Sequence, residues 1–185
     1  MSFEKTEPRE LKKRLTEHFR HPFKAHRGRG TASHWINVNW TDGPTAKEVR
    51  SYLFAFNDSG RDDTQTDLWC GSQYTSDSRH YSPEAFYWAV AKVEREFGIT
   101  IPVTDEISKY TGARSLYIER QYDIKLEDRG IPCPDYYASE QVNRRLYETD
   151  FRKLNLPPAP PLYGATDPLE QAEARIMATA TPDQD

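Results

Sequence analysis

The sequence predicts an α+β fold: a small, mainly antiparallel sheet packed by two or three helices, with a C-terminal helix and a proline-rich tail. Three observations predict it. Residues 34–40, "HWINVNW", alternate apolar and polar side chains, the signature of a half-buried strand. Residues 45–57 and 82–97 repeat their apolar side chains at helical spacing. Long polar connections separate these elements, and the strands are few and polar on one face, which disfavours a doubly wound parallel sheet.

Residues 7–20, "EPRELKKRLTEHFR", read as a helix with Thr6 placed as N-cap and Pro8 in the first turn. Leu11, Leu15 and Phe19 give it a narrow apolar stripe. "RHPFKAHRGRGTAS" follows as a basic, glycine-containing loop or a weak edge strand. In the strand at 34–40, Ile36, Val38 and Trp40 share one face, and Trp35, Asn37 and Asn39 the other. The chain then turns at Asp42-Gly43-Pro44. Thr45 and Glu48 stand at capping-box spacing for a helix reaching about Asn57 and burying Val49, Leu53 and Phe56.

"NDSGRDDTQTD" reads as a polar loop, and "LWCGSQYTSDSRHYS" as two short strands near 67–70 and 77–81. Ser82 and Pro83 open a second amphipathic helix, which Gly98 closes. "TDEISKYTG" is expected to form a short helix, and "ARSLYIERQY", alternating at Leu116, Ile118 and Arg120, a third main strand. "DIKLEDRGIPCPDYY" reads as loop, "SEQVNRRLYETDFRKL" as a helix with Val142, Leu146 and Phe151 roughly in phase, and "NLPPAPPLYG" as a polyproline-type spacer. These elements divide the chain into a basic arm at 1–30, an α+β core at 31–121 and a C-terminal helix with acidic tail at 122–185.

Of the 185 residues 36 % are hydrophobic and 12 % aromatic, so the core is modest and rich in rings. No apolar run approaches the roughly 18 residues of a membrane helix. The start carries no apolar secretory segment, and Cys70 and Cys133 make no CxxC pair. A cytoplasmic protein with two reduced thiols is expected, with no membrane, metal or cofactor. Residues 1–30 hold nine Lys/Arg against four Asp/Glu, whereas 122–185 hold seven against twelve. A basic arm on an acidic body points to an acidic protein surface or to phosphates as partners.

Four groups of residues carry candidate chemistry. Asp42-Gly43-Pro44 is either a turn or, through the N–H groups of the following helix, an anion site. Asp58, Asp62, Asp63 and Asp67 are either a solvated acidic loop or cation ligands without EF-hand order. Arg79, His80 and Tyr81 are either structural or suited to acid–base and phosphate chemistry. The basic arm, Lys12, Lys13, Arg14, Arg20, Lys24, Arg27 and Arg29 with His18, His21 and His26, is either a solvated helix face with a flexible loop or a contact for nucleic-acid phosphates or an acidic protein surface.

The run "SHWINVNWTDGPTAKEV…TDLW…SRHYSPEAFYWAV" resembles the large polyvalent protein-associated domain 29 family over about residues 22–98. The matches are Trp40, Thr41, Asp42, Gly43, Pro44, Val49, Phe56, Thr66, Asp67, Arg79 and Ser82. The family's Phe-Asp-Gly after the first helix is replaced here by "GRDDTQ". The resemblance implies a small α+β domain found in proteins of phages and conjugative elements, some of which enter a new host with the DNA and blunt its defences. It supplies no catalytic residue. The expected function is therefore a non-enzymatic binding module acting on a host protein or nucleic acid. Its binding residues would come from Trp35, Asn37, Asn39, Asp42, Asp67, Arg79, Tyr81, Arg27 and Arg29. The alternatives are a small metal-dependent hydrolase or nuclease using the Asp/Arg/His cluster, and a virion or assembly accessory protein.

Overall fold

The computed structural model describes residues 7–33, 35–54, 59–61, 68–70, 74–109, 111–132, 137–160, 168–169 and 172–173. The chain forms two compact units. The first comprises residues 1–81 with 149–154, and the second 82–148 with 155–185.

The first unit is a sheet covered on one face. Helix α1 (Pro8–Phe19) leads into strand β1 (Lys24–Arg27), strand β2 (Trp35–Thr41) and helix α2 (Ala46–Leu53). Strands β3 (Ser59–Arg61) and β4 (Leu68–Cys70) pair as a separate antiparallel ribbon, and β5 (Tyr74–His80) completes the main sheet in the order β1-β2-β5. Strand β1 runs antiparallel to β2, so the arm provides an edge strand, whereas β5 runs parallel to β2 over seven register pairs. Leu11, Leu15 and Phe19 of α1 and Ala46, Val49 and Leu53 of α2 pack with Ile36, Val38 and Trp40 in one buried cluster. Removing such side chains from water stabilises by about 1.5–3 kcal/mol each.

Local chemistry explains these boundaries. Pro8 does sit at the start of α1, but the N-cap is Glu7, not Thr6, and it makes no side-chain capping bond. Thr6 lies outside the described residues. The capping box of α2 is complete: the Thr45 hydroxyl accepts from Glu48 N, and the Glu48 carboxylate accepts from Thr45 N at 2.9 Å. Phe54 follows as C-cap, and the expected continuation to Asn57, including Phe56, lies outside the described residues.

In the second unit, helix α3 (Pro83–Phe97) begins with Ser82 accepting from Ala85 N and ends at Gly98 with φ +63°. Residues 104–112 do not form the expected helix. Thr104–Ile107 is strand β6, antiparallel to β7 (Arg114–Tyr117), which is shorter than the sequence suggests. The reason lies in the pairing. Ser108 N donates to Ala113 O at 2.9 Å, and Gly112, at φ +67°, lets the chain reverse between the strands. Asp105, 1 % exposed, accepts from Tyr87 Oη and Arg114 Nε, each at 2.7 Å. This buried ion pair fixes the hairpin against α3.

Helix α4 (Ala138–Glu148) packs on α3 and places Arg145 Nη2 2.7 Å from Glu96 Oε2. It stops six residues before the expected end. Asp150 instead caps a 3-10 turn at Phe151–Lys153 by accepting from Arg152 N, so Phe151 belongs to the first unit and not to the stripe of α4. The proline-rich segment has no regular structure from Leu154 to Pro160.

Candidate binding surface

The Asp42-Gly43-Pro44 turn is held from inside the first unit. Asp42 and Gly43 both adopt left-handed backbone, at φ +55° and +61°, a pair that Asp-Gly accommodates with little strain. Asp42 N donates to His80 O at 2.8 Å, anchoring the turn to the end of β5. Trp40 Nε1 donates to Pro44 O at 3.0 Å, so the last core residue of β2 also braces the start of α2.

Arg79 closes the turn. Its Nε donates to Asp42 O at 2.9 Å, and its Nη2 donates to Gly43 O at 3.0 Å and Thr149 O at 2.7 Å. The guanidinium carbon stands 5.1 Å from the Tyr81 ring centre and 5.3 Å from that of Phe151. A planar fork with several donors suits three converging carbonyls; an ammonium does not. Burial pushes the Arg79 pKa below the ordinary guanidinium value, but the group remains charged.

The segment after α4 straps the turn from the other side. Phe151 N donates to Gly43 O at 3.0 Å. Arg152 reaches the Glu48 carboxylate of the capping box at 3.1 Å and Asp150 at 2.7 Å. His21 fills the remaining side: its Nε2 donates to Thr41 O at 2.9 Å, and a Cβ built on Gly43 would come within 2.4 Å of its ring. Burial is the main cause that pushes the His21 pKa down, with Arg152 and Arg79 acting in the same direction.

The opposite face of the sheet is built differently. Register places Lys24 across from Asn39 and His26 across from Asn37. It likewise places Asn37 beside Ser76, Asn39 beside Ser78 and Thr41 beside His80. Trp35 continues this face and is 40 % exposed. Lys24, His26, Thr41, Ser78 and His80 are exposed; Asn37, Asn39 and Ser76 are half-buried. Ser76 Oγ donates to Asn37 Oδ1 at 2.6 Å, which orients the amide. No Asp or Glu occupies these positions; the one carboxylate of β5, Asp77, is held on the other face by Arg50 at 2.9 Å. A groove of about 640 Å³ adjoins the face, lined by Lys24, Asn39, Thr41 and His80 and reaching Lys12 and Thr16 of α1.

The expected site residues thus separate into groups. Trp35, Asn37 and Asn39 lie together on the open face. Asp42, Arg79 and Tyr81 lie at the turn, where Arg79 serves the backbone. Arg27 pairs with Glu7 at 2.9 Å, and Arg29 is exposed just before the 3-10 turn at Gly30–Ala32. Asp67 and the rest of the acidic loop, Asp58, Asp62 and Asp63, lie outside the described residues, as does Cys133. Among the described residues no group of His, Cys, Asp and Glu could hold a metal ion, and no helix is long and apolar enough to cross a membrane.

Ser76 and Ser78 were not among the expected binding residues, and Lys24 and His26 of the basic arm and His80 of the Arg79–Tyr81 group were not placed on this face. Their alternation in the edge strand and in "YTSDSRH" is the signal that reveals them once the register is known. His21 and Phe151 carry no such signal, because each meets the turn from a remote part of the chain.

Searches of curated proteins and of solved structures returned no match. A family model does match, over residues 4–101, an interval that contains α1, the sheet, the turn and α3. The match covers more than half of the chain and includes the Trp40–Pro44 run and Arg79, and so the chain belongs to the family described as large polyvalent protein associated domain 29.

Proposed function

We propose that the chain is a non-enzymatic binding module of a phage or mobile element, working in the cytoplasm, that acts against host defence by engaging a host protein or nucleic acid. The observation that supports this reading is the division of labour on one sheet. Trp40 and Asp42–Pro44 of the family-like run, together with Arg79, are spent on hydrogen bonds that use the backbone of the turn, whereas Thr41 of the same run joins Trp35, Asn37 and Asn39 on the uncovered face of the sheet. A hydrolase built on Asp42, Asp67, Arg79 and His80 needs a guanidinium available to substrate, and this one already serves three carbonyls. Family membership supports the mobile-element context.

The test is affinity capture from host lysate with the tagged chain and with a Trp35→Ala/Asn37→Ala/Asn39→Ala variant, before and after nuclease treatment. The parent should retain a partner that the variant loses, at equal melting temperature. Metal-dependent phosphodiester cleavage that disappears on Arg79→Lys without a change in melting would instead establish the hydrolase.

A further inference from the structure

Building on the binding-module reading, we propose that the open face of the β1-β2-β5 sheet, with the groove at its margin, binds single-stranded nucleic acid. Charge is the first argument. The face and the groove hold Lys24 and Lys12, and none of the described side chains facing or lining them is a carboxylate. This is notable in a chain with formal net charge −4. A polyanion therefore meets no carboxylate on the face or in this groove, Glu7, Glu10 and Glu17 lining instead the adjoining groove that shares Lys12 and Thr16, and two ammonium groups can displace its counterions.

The side chains presented also suit a single strand. Trp35 offers an exposed indole at one end of β2. Each base has a π-face, so stacking on an aromatic ring is tolerant of sequence. Asn37, Asn39, Ser76 and Ser78 form adjacent cross-strand pairs of short donors and acceptors, which suit base edges or sugar hydroxyls. His26 and His80 flank them at the two outer strands.

Shape favours the same ligand. Lys24, Asn39, Thr41 and His80 belong to both the face and the groove, so the two form one continuous surface. The groove also reaches Thr16, whose hydroxyl is buried and has no hydrogen-bond partner among the described residues. A three-stranded platform leading into a groove that holds two lysines fits an extended strand with splayed bases. A rigid duplex would present phosphates alone to such a surface. An acidic peptide would instead add as a further strand along an edge of the sheet.

The test is a fluorescence-anisotropy titration of the full chain with a fluorescein-labelled oligothymidylate, the matching oligouridylate and a blunt duplex, at several salt concentrations. Saturable binding of a single strand, weakening linearly in log salt, is expected. Trp35→Ala should weaken it about tenfold. Asn39→Asp and Lys24→Glu, each adding a carboxylate to the face, should weaken it further, whereas Lys47→Ala on α2 should not. Circular dichroism melting of each variant distinguishes lost binding from lost fold. Equal loss from Lys47→Ala and Lys24→Ala with none from Trp35→Ala would mean unspecific attraction, and tighter binding of the duplex would mean a different ligand; either result overturns the proposal. Failure to bind any oligonucleotide, with a nuclease-resistant partner still captured through Trp35, overturns the nucleic-acid assignment alone. Failure of both experiments removes the binding-module reading as well.

Discussion

At the Asp42-Gly43-Pro44 turn, polar groups point inward: two of its carbonyls accept from Arg79, and one of them also from Phe151 N. On the open face of the same sheet, Lys24, Thr41, Ser78 and His80 point to water. The first region has the more distinctive sequence and the less accessible chemistry. A left-handed Asp-Gly pair, a proline and a fork-shaped donor are scarce, specific solutions to a backbone problem, so they stand out in a sequence. A surface that meets a partner needs only compatible charge and hydrogen bonding, and many residue combinations supply that. The comparison teaches that most of the recognisable run in this chain marks where the fold is locked, while the proposed binding surface is made largely of plainer residues beside it.

The comparison breaks if changes at the turn leave stability untouched. The largest expected effect is from Phe151→Ala. This ring is 5 % exposed, meets Tyr81 edge to face and lies under the Arg79 guanidinium. Truncating it should cost about 3–5 kcal/mol in urea denaturation, an effect that sequence position alone, far from the turn, would not suggest.

Gly43→Val comes next, at roughly 1–3 kcal/mol for the left-handed backbone, with a further cost from overlap with His21. The two contributions separate in a cycle. In a His21→Ala background Gly43→Ala should lose only the overlap part, because the φ of +61° remains. A cycle with no coupling would show that the ring moves aside freely.

His21 adds a pH dependence with a defined sign. Its folded pKa is lowered, so the unfolded chain takes up the proton first as pH falls. The contribution of His21 is complete above the ordinary imidazole value of about 6.5 and is lost progressively as pH drops from there through the lowered folded pKa. Denaturation midpoints followed from neutral to mildly acid pH should fall more steeply for the parent than for His21→Gln. Parallel curves would mean that the ring is not buried in solution.

The smallest stability effect should be that of Trp35→Ala, within about 0.5 kcal/mol, since the ring lies on the solvent side of β2. A larger loss would mean that this face is part of the packed structure and not a surface for partners.

Much of the first unit was legible from periodicity. "HWINVNW" assigned both faces of β2 correctly, because a strand with one buried face has only one register that hides Ile36, Val38 and Trp40. The capping box at Thr45 and Glu48 and the Ser82-Pro83 start of α3 follow local rules and formed as expected. What failed depends on distant pairing. Thr104–Ile107 is a strand because Arg114–Tyr117 is beside it and Asp105 finds Arg114 and Tyr87. Phe151 leaves the helical stripe because Asp150 caps a new turn and Gly43 offers a carbonyl more than a hundred residues earlier in the chain. The candidate surface was legible only in part for the same reason. Trp35, Asn37 and Asn39 were visible on their own strand, but their neighbours Lys24 and Ser78 became neighbours only through the sheet.

The most direct test of this division between architecture and surface is the affinity of Arg79→Lys and Trp35→Ala for the labelled oligothymidylate, each measured well below its melting temperature. The account predicts that Arg79→Lys melts earlier yet binds like the parent, whereas Trp35→Ala melts like the parent and binds about tenfold more weakly. The reverse pattern, with Arg79→Lys stable but unable to bind and Trp35→Ala unaffected, would place the functional chemistry at the turn and contradict the account.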